Sequence, residues 1–169
     1  MKKIILLFTV VGVFGFQSCS GPEGPQGPIG YNVEAEVFEV FADFTTTNNF
    51  STLVNLNPPI LTSDMILVYR RFDIYNGEDV WRLIPQTVYL SQGNLDYNYD
   101  FTKNDINIFL DADFDLRILP VAYSQNQLFR IVIIPGYFSS RSNIDFKDYH
   151  EVIKFFNIDD THVKRLENK

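Results

Sequence analysis

The chain has 169 residues, with 21 acidic and 14 basic side chains, a formal net charge of −7 and one cysteine. The negative balance argues against a protein that binds nucleic acid or anionic lipid through charge, because both ligands carry phosphates. A single cysteine excludes an intramolecular disulfide, so a folded domain must be stabilised by its apolar core.

The N-terminus has the pattern of a secretory signal, with two lysines followed by an apolar stretch over residues 4–16. A membrane-spanning helix needs about 20 apolar residues, so this stretch is too short to be one. Cys19 directly follows the small residue Ser18, and this order resembles a bacterial lipobox, in which the cysteine is acylated, for example with palmitate. We therefore predict a lipoprotein signal peptide over residues 1–18, cleavage between Ser18 and Cys19, and a covalent lipid on Cys19. The alternative, an ordinary signal peptide, leaves an exported protein with a reactive unpaired thiol.

Residues 19–30 combine this cysteine with a Gly-Pro-x repeat. Glycine at every third position with proline is typical of collagen, but three triplets are few. We interpret the repeat as an extended spacer of about 30 Å. Loss of residues 1–18 removes two lysines and no acid, which brings the formal charge to −9. Residues 31–169 remain for one domain, which would bury about two thirds of its unfolded surface.

The first part of this domain predicts three strands. Apolar residues alternate over 33–37 and then change parity over 38–44, which predicts a bulge near Val37. Residues 50–56 predict a second strand. Residues 65–72 begin with a continuous apolar run, which is typical of a strand buried on both faces.

The middle of the domain predicts a hairpin and further strands. Asn76-Gly77 suits a type I′ turn, with residues 80–84 as the returning strand. Residues 86–90 continue after Pro85 as a strand bent at that proline. Strict alternation over 95–101, repeated at Ile106, Ile108 and Leu110, predicts two strands with one buried face.

The last part of the chain predicts a central strand and a helix. Residues 128–134 are apolar apart from Arg130, and residues 162–166 suit an edge strand. Between them, apolar residues recur at spacings of three and four, which predicts a short amphipathic helix with Asp145 or Asn143 as its N-cap. Seven or eight short strands with one short C-terminal helix predict a mainly β fold, a single antiparallel β-sandwich that is immunoglobulin-like or related. Trp81 is expected in its core.

One acidic segment resembles the opening of a calcium loop, with Asp111, Asp113 and Asp115 at alternate positions. The sixth and twelfth loop positions, however, are Leu116 and Ala122 rather than glycine and glutamate. The three aspartates are therefore a weak calcium candidate, and a solvated acidic turn is the favoured interpretation.

Other chemistry is poorly supported by the sequence. Asp159, Asp160 and His162 are too few and too close together in a polar loop to predict a metal site. Acidic residues are so numerous that a pair at the separation of a glycosidase site carries no weight, although two facing carboxylates in a concave pocket would favour an enzyme. We expect no enzymatic activity and no cofactor other than the covalent lipid on Cys19.

Aromatic residues near turns are candidate partner contacts, because tyrosine supplies contact area and a hydroxyl at low entropic cost. We single out Tyr75 beside the predicted hairpin tip, and Tyr137 and Phe138 after the predicted central strand.

Several segments resemble a family of small Bacteroidota lipoproteins with a collagen-like Gly-Pro spacer. They are Ser18 to Pro28, Val37-Phe38-Glu39-Val40, Asn57-Pro58-Pro59, Val68-Tyr69-Arg70, Asp79-Val80-Trp81 and Phe129-Arg130-Ile131-Val132. The resemblance implies a lipid-anchored protein of the outer membrane and carries over no catalytic residues. Acidic residues after the cysteine can direct export to the cell surface in this phylum. Here Glu23 alone is present, so both locations, the periplasmic face of the outer membrane and the cell surface, are kept as alternatives.

These observations predict a non-enzymatic interaction module that docks on a protein partner, as an accessory lipoprotein of an outer-membrane complex for barrel assembly, transport or secretion. The alternative is a surface glycan-binding or adhesive domain, which predicts that exposed tyrosines or Trp81 line a groove.

Overall fold

The alternating patterns become strands through most of the chain. The structure, a computed structural model, describes residues 35–136 and 144–166, all within a unit that spans residues 33–169. The strands in these residues are β1 (Glu36–Ala42), β2 (Ser51–Asn55), β3 (Met65–Tyr75), β4 (Glu78–Leu83), β5 (Gln86–Leu90), β6 (Gly93–Phe101), β7 (Asp105–Ala112), β8 (Gln127–Ile134) and β9 (Lys164–Leu166). The helices are α1 (Val121–Ser124) and α2 (Tyr149–Phe156), with 3₁₀ turns at Thr46–Asn48 and Leu116–Ile118.

The strands form two sheets, one in the order β4-β3-β8-β1-β9 and the other in the order β2-β7-β6-β5. All neighbouring strands are antiparallel except β1 and β9, which are parallel. The prediction of a mainly β, antiparallel-rich fold with a short C-terminal helix is confirmed. The strand order differs from that of immunoglobulin domains, where the first strand lies beside the second, because here β1 lies beside β8.

A buried apolar cluster draws its members from both sheets. Phe44, after β1, lies at its centre: the ring packs edge-on against Tyr97 of β6 and Phe129 of β8, with ring centroids 6.3 and 6.0 Å apart. Burying a large apolar side chain stabilises a fold by about 1.5–3 kcal/mol. Other fully buried members include Val40, Val68, Leu95, Ile106, Ile108 and Ile131.

A second buried cluster lies on the opposite face of the five-stranded sheet, where α2 covers β3 and β8. Its buried members are Leu67, Tyr69, Val132, Ile134, Tyr149, Val152 and Phe156. Neighbouring residues of β3 and β8 therefore belong to different clusters, and both strands are buried on both faces. This confirms what the continuous apolar start of β3 predicted, and β8 is central, as expected.

The predicted bulge near Val37 is wrong. The pairing of β1 with β8 runs without a shift from Glu36 to Ala42. Val37 packs against the cluster under α2, whereas Phe38 packs in the cluster that draws on both sheets. The change of parity in the sequence thus reflects a strand that is apolar on both faces. A register shift lies instead in β3, between Arg71 and Asp73.

Local backbone and side-chain geometry explains the turn between β3 and β4 and the start of α2. Asn76 and Gly77 have φ angles of 53° and 87°, so the predicted hairpin turn is confirmed. The residue that caps α2 is Asp148, whose carboxylate accepts a hydrogen bond of 3.1 Å from the Glu151 amide. The predicted cap Asp145 is therefore wrong, since it instead accepts a bond from the Lys147 amide in the preceding turn. The other predicted cap, Asn143, lies outside the described residues.

Candidate functional site

The β3–β4 hairpin extends beyond the rest of its sheet. β3 pairs with β8 only as far as Arg70, and from there on its neighbour in the described residues is β4. We call residues 71–81 the hairpin arm. Phe72 and Ile74 are exposed along it, and Tyr75 at its tip is 69% exposed. The structure thus places the predicted contact residue Tyr75 on an accessible, projecting element.

A groove of about 490 Å³ opens between β4 and the residues that lead into α2. We call it the β4 groove. This volume lies within the range of about 300–1,000 Å³ that is usual for binding sites. One wall consists of Tyr75, Glu78, Asp79, Val80 and Trp81, and the other of Asp145, Lys147, Asp148, Tyr149 and His150.

Trp81 joins this groove to the core beneath it. The indole is half-buried, and its ring centroid lies 5.8 Å from that of Tyr149 in the cluster under α2. The guanidinium carbon of Arg130 lies 4.2 Å from the Trp81 ring centroid, a cation–π contact that stabilises the ring by about 0.5–2 kcal/mol. Trp81 is therefore only partly the core residue that the sequence predicted, since it also lines the groove.

Arg130 is the centre of a charged network below the groove. Its Nε and Nη2 donate to Oε1 of Glu39 at 3.1 and 2.7 Å. Its Nη1 donates to the Tyr149 hydroxyl at 2.7 Å, and that hydroxyl donates to Asp160 Oδ2 at 2.7 Å. Arg165 of β9 donates to the second oxygen of Glu39 at 3.1 Å. The network ties β1, β8, β9 and α2 together.

The protonation states in this network follow from its contacts. Burial alone lowers the pKa of Arg130, but the hydrogen bond to Glu39 and the contact with Tyr149 more than offset this and raise the pKa above its ordinary value. Burial raises the pKa of Tyr149, and the hydrogen bond to Asp160 adds to the effect. The guanidinium is therefore charged and the phenol neutral, so Tyr149 acts as donor to Asp160 at neutral pH.

The carboxylates of the groove have local partners. Asp79 forms an ion pair of 3.4 Å with Arg71. Asp148 caps α2, and Asp145 accepts from the Lys147 amide. Glu78 is exposed beside the turn of the hairpin arm. Three of these four acids thus hold the walls of the groove in place.

The groove has opposite charges at its two ends. The acids of its β4 wall, Glu78 and Asp79, lie on the hairpin arm. On the other wall Lys147, between Asp145 and Asp148, borders both the groove and a second space of about 320 Å³. That second space is lined by Arg82, Leu83, Ile84, Pro85, Gln86 and Lys147, and none of these is acidic. A ligand lying along β4 would therefore meet negative charge at one end and positive charge at the other.

The acids of the calcium candidate do not converge. Asp111 accepts from the Ala112 amide and Asp113 from the Asn94 amide, while Asp115 pairs with Arg117. The described ranges hold no group of three acidic, histidine or cysteine side chains that could bind a metal ion.

The two neighbouring acids of the tail make local contacts. Asp160 belongs to the Arg130 network, and Asp159 accepts hydrogen bonds from Thr161. Other predicted site residues lie outside the described part of the chain, namely Ser18, Cys19, Tyr137 and Phe138.

The Arg130 network and the groove itself were not predicted from the sequence. One signal was present, since Arg130 interrupts an apolar strand and a buried cation needs an anionic partner. That partner, Glu39, is distant in sequence and was not identified. The second wall of the groove carried no signal, because it is formed by residues that look like an ordinary helix start.

No helix in residues 35–136 or 144–166 is both long and apolar enough to span a bilayer. Comparison of the chain with protein-family models, with curated proteins and with solved structures finds no match.

Proposed function

We propose that this protein is a lipid-anchored, non-enzymatic interaction module, an accessory lipoprotein of an outer-membrane complex for barrel assembly, transport or secretion. The observation that supports docking on a partner is that the hairpin arm exposes Tyr75 at its tip, beside the β4 groove. Exposed aromatic residues next to a concave surface are typical centres of protein recognition. The signal pattern and Cys19 support the anchor.

In this proposal the two sheets form an antiparallel β-sandwich, related to the immunoglobulin fold in architecture but not in strand order. The cluster shared by both sheets supports this arrangement. Such a body is a rigid base for the arm, because β3 is buried on both faces before the arm begins.

Purification of the tagged full chain from native membranes in mild detergent tests the docking role. We expect one protein companion in stoichiometric amount. Tyr75→Ala should lower its recovery about tenfold, since truncation of a central aromatic contact costs about 1–2 kcal/mol. Tyr89→Ala is the matched control, because Tyr89 is 81% exposed on β5 of the other sheet. A monomer without any stoichiometric companion would refute the proposal.

Fractionation of a Cys19→Ser variant tests the anchor. We expect the variant to leave the membrane fraction, because removal of the acyl chains removes about 0.8 kcal/mol of binding per CH₂. If the unlipidated variant stays with the outer membrane, protein contacts rather than lipid hold it there.

A second candidate function, glycan binding, is favoured by one observation. Tyr75 and Trp81 line the same groove, together with the carboxylates of Glu78 and Asp79. Aromatic faces and carboxylates are groups that stack on sugar rings and accept hydrogen bonds from their hydroxyls. A polysaccharide array tests this function. Binding that is lost in Tyr75→Ala and kept in Tyr89→Ala would support it, whereas an array without any signal would refute it.

A further inference from the structure

The outer side of β4 is open in the described part of the chain. β4 is the last strand of the five-stranded sheet, and the strand beside it is β3. Natural edge strands are usually shielded, because their unpaired N–H and C=O groups bind other strands. At six residues, β4 offers an edge about 20 Å long.

The register shows which backbone groups of β4 face outward. The amide of Ile84 donates to the carbonyl of Val68 at 2.9 Å, so this pair is hydrogen-bonded. Bonded and non-bonded pairs alternate along an antiparallel ladder. Leu83 and Trp81, which lie opposite Tyr69 and Arg71, are therefore at non-bonded positions, and their N–H and C=O groups point away from β3.

The β4 groove lies alongside these backbone groups. The side chains of Trp81 and Leu83 are on the face covered by α2, where both pack against the cluster under that helix. Across the groove stands the start of α2, and the adjoining second space extends the groove past Leu83. An extended chain placed here would have β4 on one side and α2 on the other.

For an antiparallel neighbour, the side chains along β4 set the order of charges. Glu78 and Asp79 mark the first end of β4, and Arg82 with Lys147 marks the other. An antiparallel neighbour would run from the basic end to the acidic end. Charge complementarity therefore requires that the bound chain carry an acidic residue before a basic one. Between these two, an apolar residue of the bound chain would lie against Trp81.

We propose that the β4 groove binds an extended peptide segment of a protein partner, which adds to β4 as an antiparallel strand. The segment has an acidic residue toward Arg82 and Lys147, an apolar residue against Trp81 and a basic residue toward Glu78. This inference rests on the proposed docking function and specifies its mode. A peptide is favoured over a glycan because only a peptide repeats N–H and C=O groups at the spacing of a strand.

The test uses the lipidated full chain in detergent and a library of random short peptides displayed on phage. Trp81 is the single tryptophan of the chain, so its emission reports directly on the groove. We expect enrichment of peptides with an acidic residue before a basic one. Synthetic copies without tryptophan should shift the Trp81 emission to saturation.

Backbone methylation distinguishes strand addition from side-chain binding. N-methylation of the two amides that face β4 should weaken binding about tenfold or more, since it removes two hydrogen bonds of about 1 kcal/mol each. N-methylation of the amides that face away is the matched control and should have little effect. Equal weakening by both patterns, or by neither, would overturn the proposal.

Charge variants test the direction. Glu78→Lys should weaken binding about threefold, in keeping with an exposed ion pair. Asp100→Lys, the same reversal of charge at an exposed site on β6, should leave binding unchanged. Equal effects of the two variants would contradict the assigned direction.

The remaining outcomes also decide the question. No enrichment over the bare support, or enriched peptides that leave the Trp81 emission unchanged, would overturn the proposal. A shift of that emission by a glycan, with no peptide enriched, would assign the groove to carbohydrate. If a stoichiometric partner copurifies but an enriched peptide does not displace it, strand addition fails while the docking function stands.

Discussion

Arg130 of β8 and Glu39 of β1 lie directly opposite each other in the antiparallel ladder, and two hydrogen bonds join the guanidinium to one carboxylate oxygen. Both side chains are largely buried. This pair links the central strand of the larger sheet to its neighbour, and through Trp81 and Tyr149 it also supports the floor of the β4 groove. The candidate site is thus built on a buried ion pair.

Glu39→Ala should destabilise the fold by about 3 kcal/mol, because it leaves the Arg130 charge buried without its main partner. Chemical denaturation measures the loss. The double variant Glu39→Ala with Arg130→Met should recover much of it, since it removes both charges of the buried pair. Asp79→Ala, which breaks the part-exposed pair with Arg71, should cost about 1 kcal/mol or less. Equal losses for Glu39→Ala and Asp79→Ala would contradict the role assigned to the buried pair.

Alkaline pH should destabilise the fold through Tyr97. Burial raises the pKa of Tyr97 to about 12, and neighbouring Arg70 partly opposes the shift. Between the ordinary pKa of about 10 and this value, the unfolded chain releases the phenol proton and the folded chain keeps it. The stabilisation is therefore present below pH 10 and falls by about 1.4 kcal/mol per pH unit above it.

Urea unfolding between pH 9 and pH 12, measured on the wild type and on Tyr97→Phe, checks this dependence. The variant should lose about 1 kcal/mol at neutral pH, because the 2.6 Å hydrogen bond to the Tyr123 carbonyl is gone. Its alkaline slope should be shallower. Tyr89→Phe, at an exposed position, should keep the wild-type slope. A Tyr97→Phe slope equal to that of the wild type would rule out this contribution.

Asp148→Ala should destabilise the fold by about 1 kcal/mol, since it removes the side-chain cap of α2. Asp148→Ser should recover most of the loss, because serine caps helices nearly as well. Asp145→Ala should cost less than Asp148→Ala. Thermal unfolding ranks the three variants, and a larger loss for Asp145→Ala would restore the cap that the sequence had predicted.

Val152→Ala should cost about 2 kcal/mol, because it removes two methyl groups from a side chain that is fully buried between α2 and the sheet. Phe155→Ala on the same helix is the control. Phe155 is 52% exposed, so its truncation should cost clearly less despite the larger change in size. Chemical denaturation of both variants tests whether α2 covers the sheet with the face described. The reverse ranking would show that it does not.

The positions of the strands could be predicted from the sequence wherever a single local rule of backbone geometry determines them. Strict alternation over β6 and β7, the turn at Asn76-Gly77 and the mainly apolar runs in β3 and β8 all reflect local backbone geometry. The amphipathic period of α2 is equally local. The groove could not be found in this way. Its two walls are separated by more than 60 residues in sequence, so no local pattern records that they meet.

The sequence by itself determined the kind and approximate position of each main element, because side-chain direction follows from backbone period alone. Tertiary structure decided which faces are covered. Val37 looked like a bulge until α2 was seen to bury the second face of β1's sheet. Arg130 looked like an interruption until its opposite neighbour proved to be Glu39. In both cases the deciding contact comes from an element remote in the chain, and only folding brings it near.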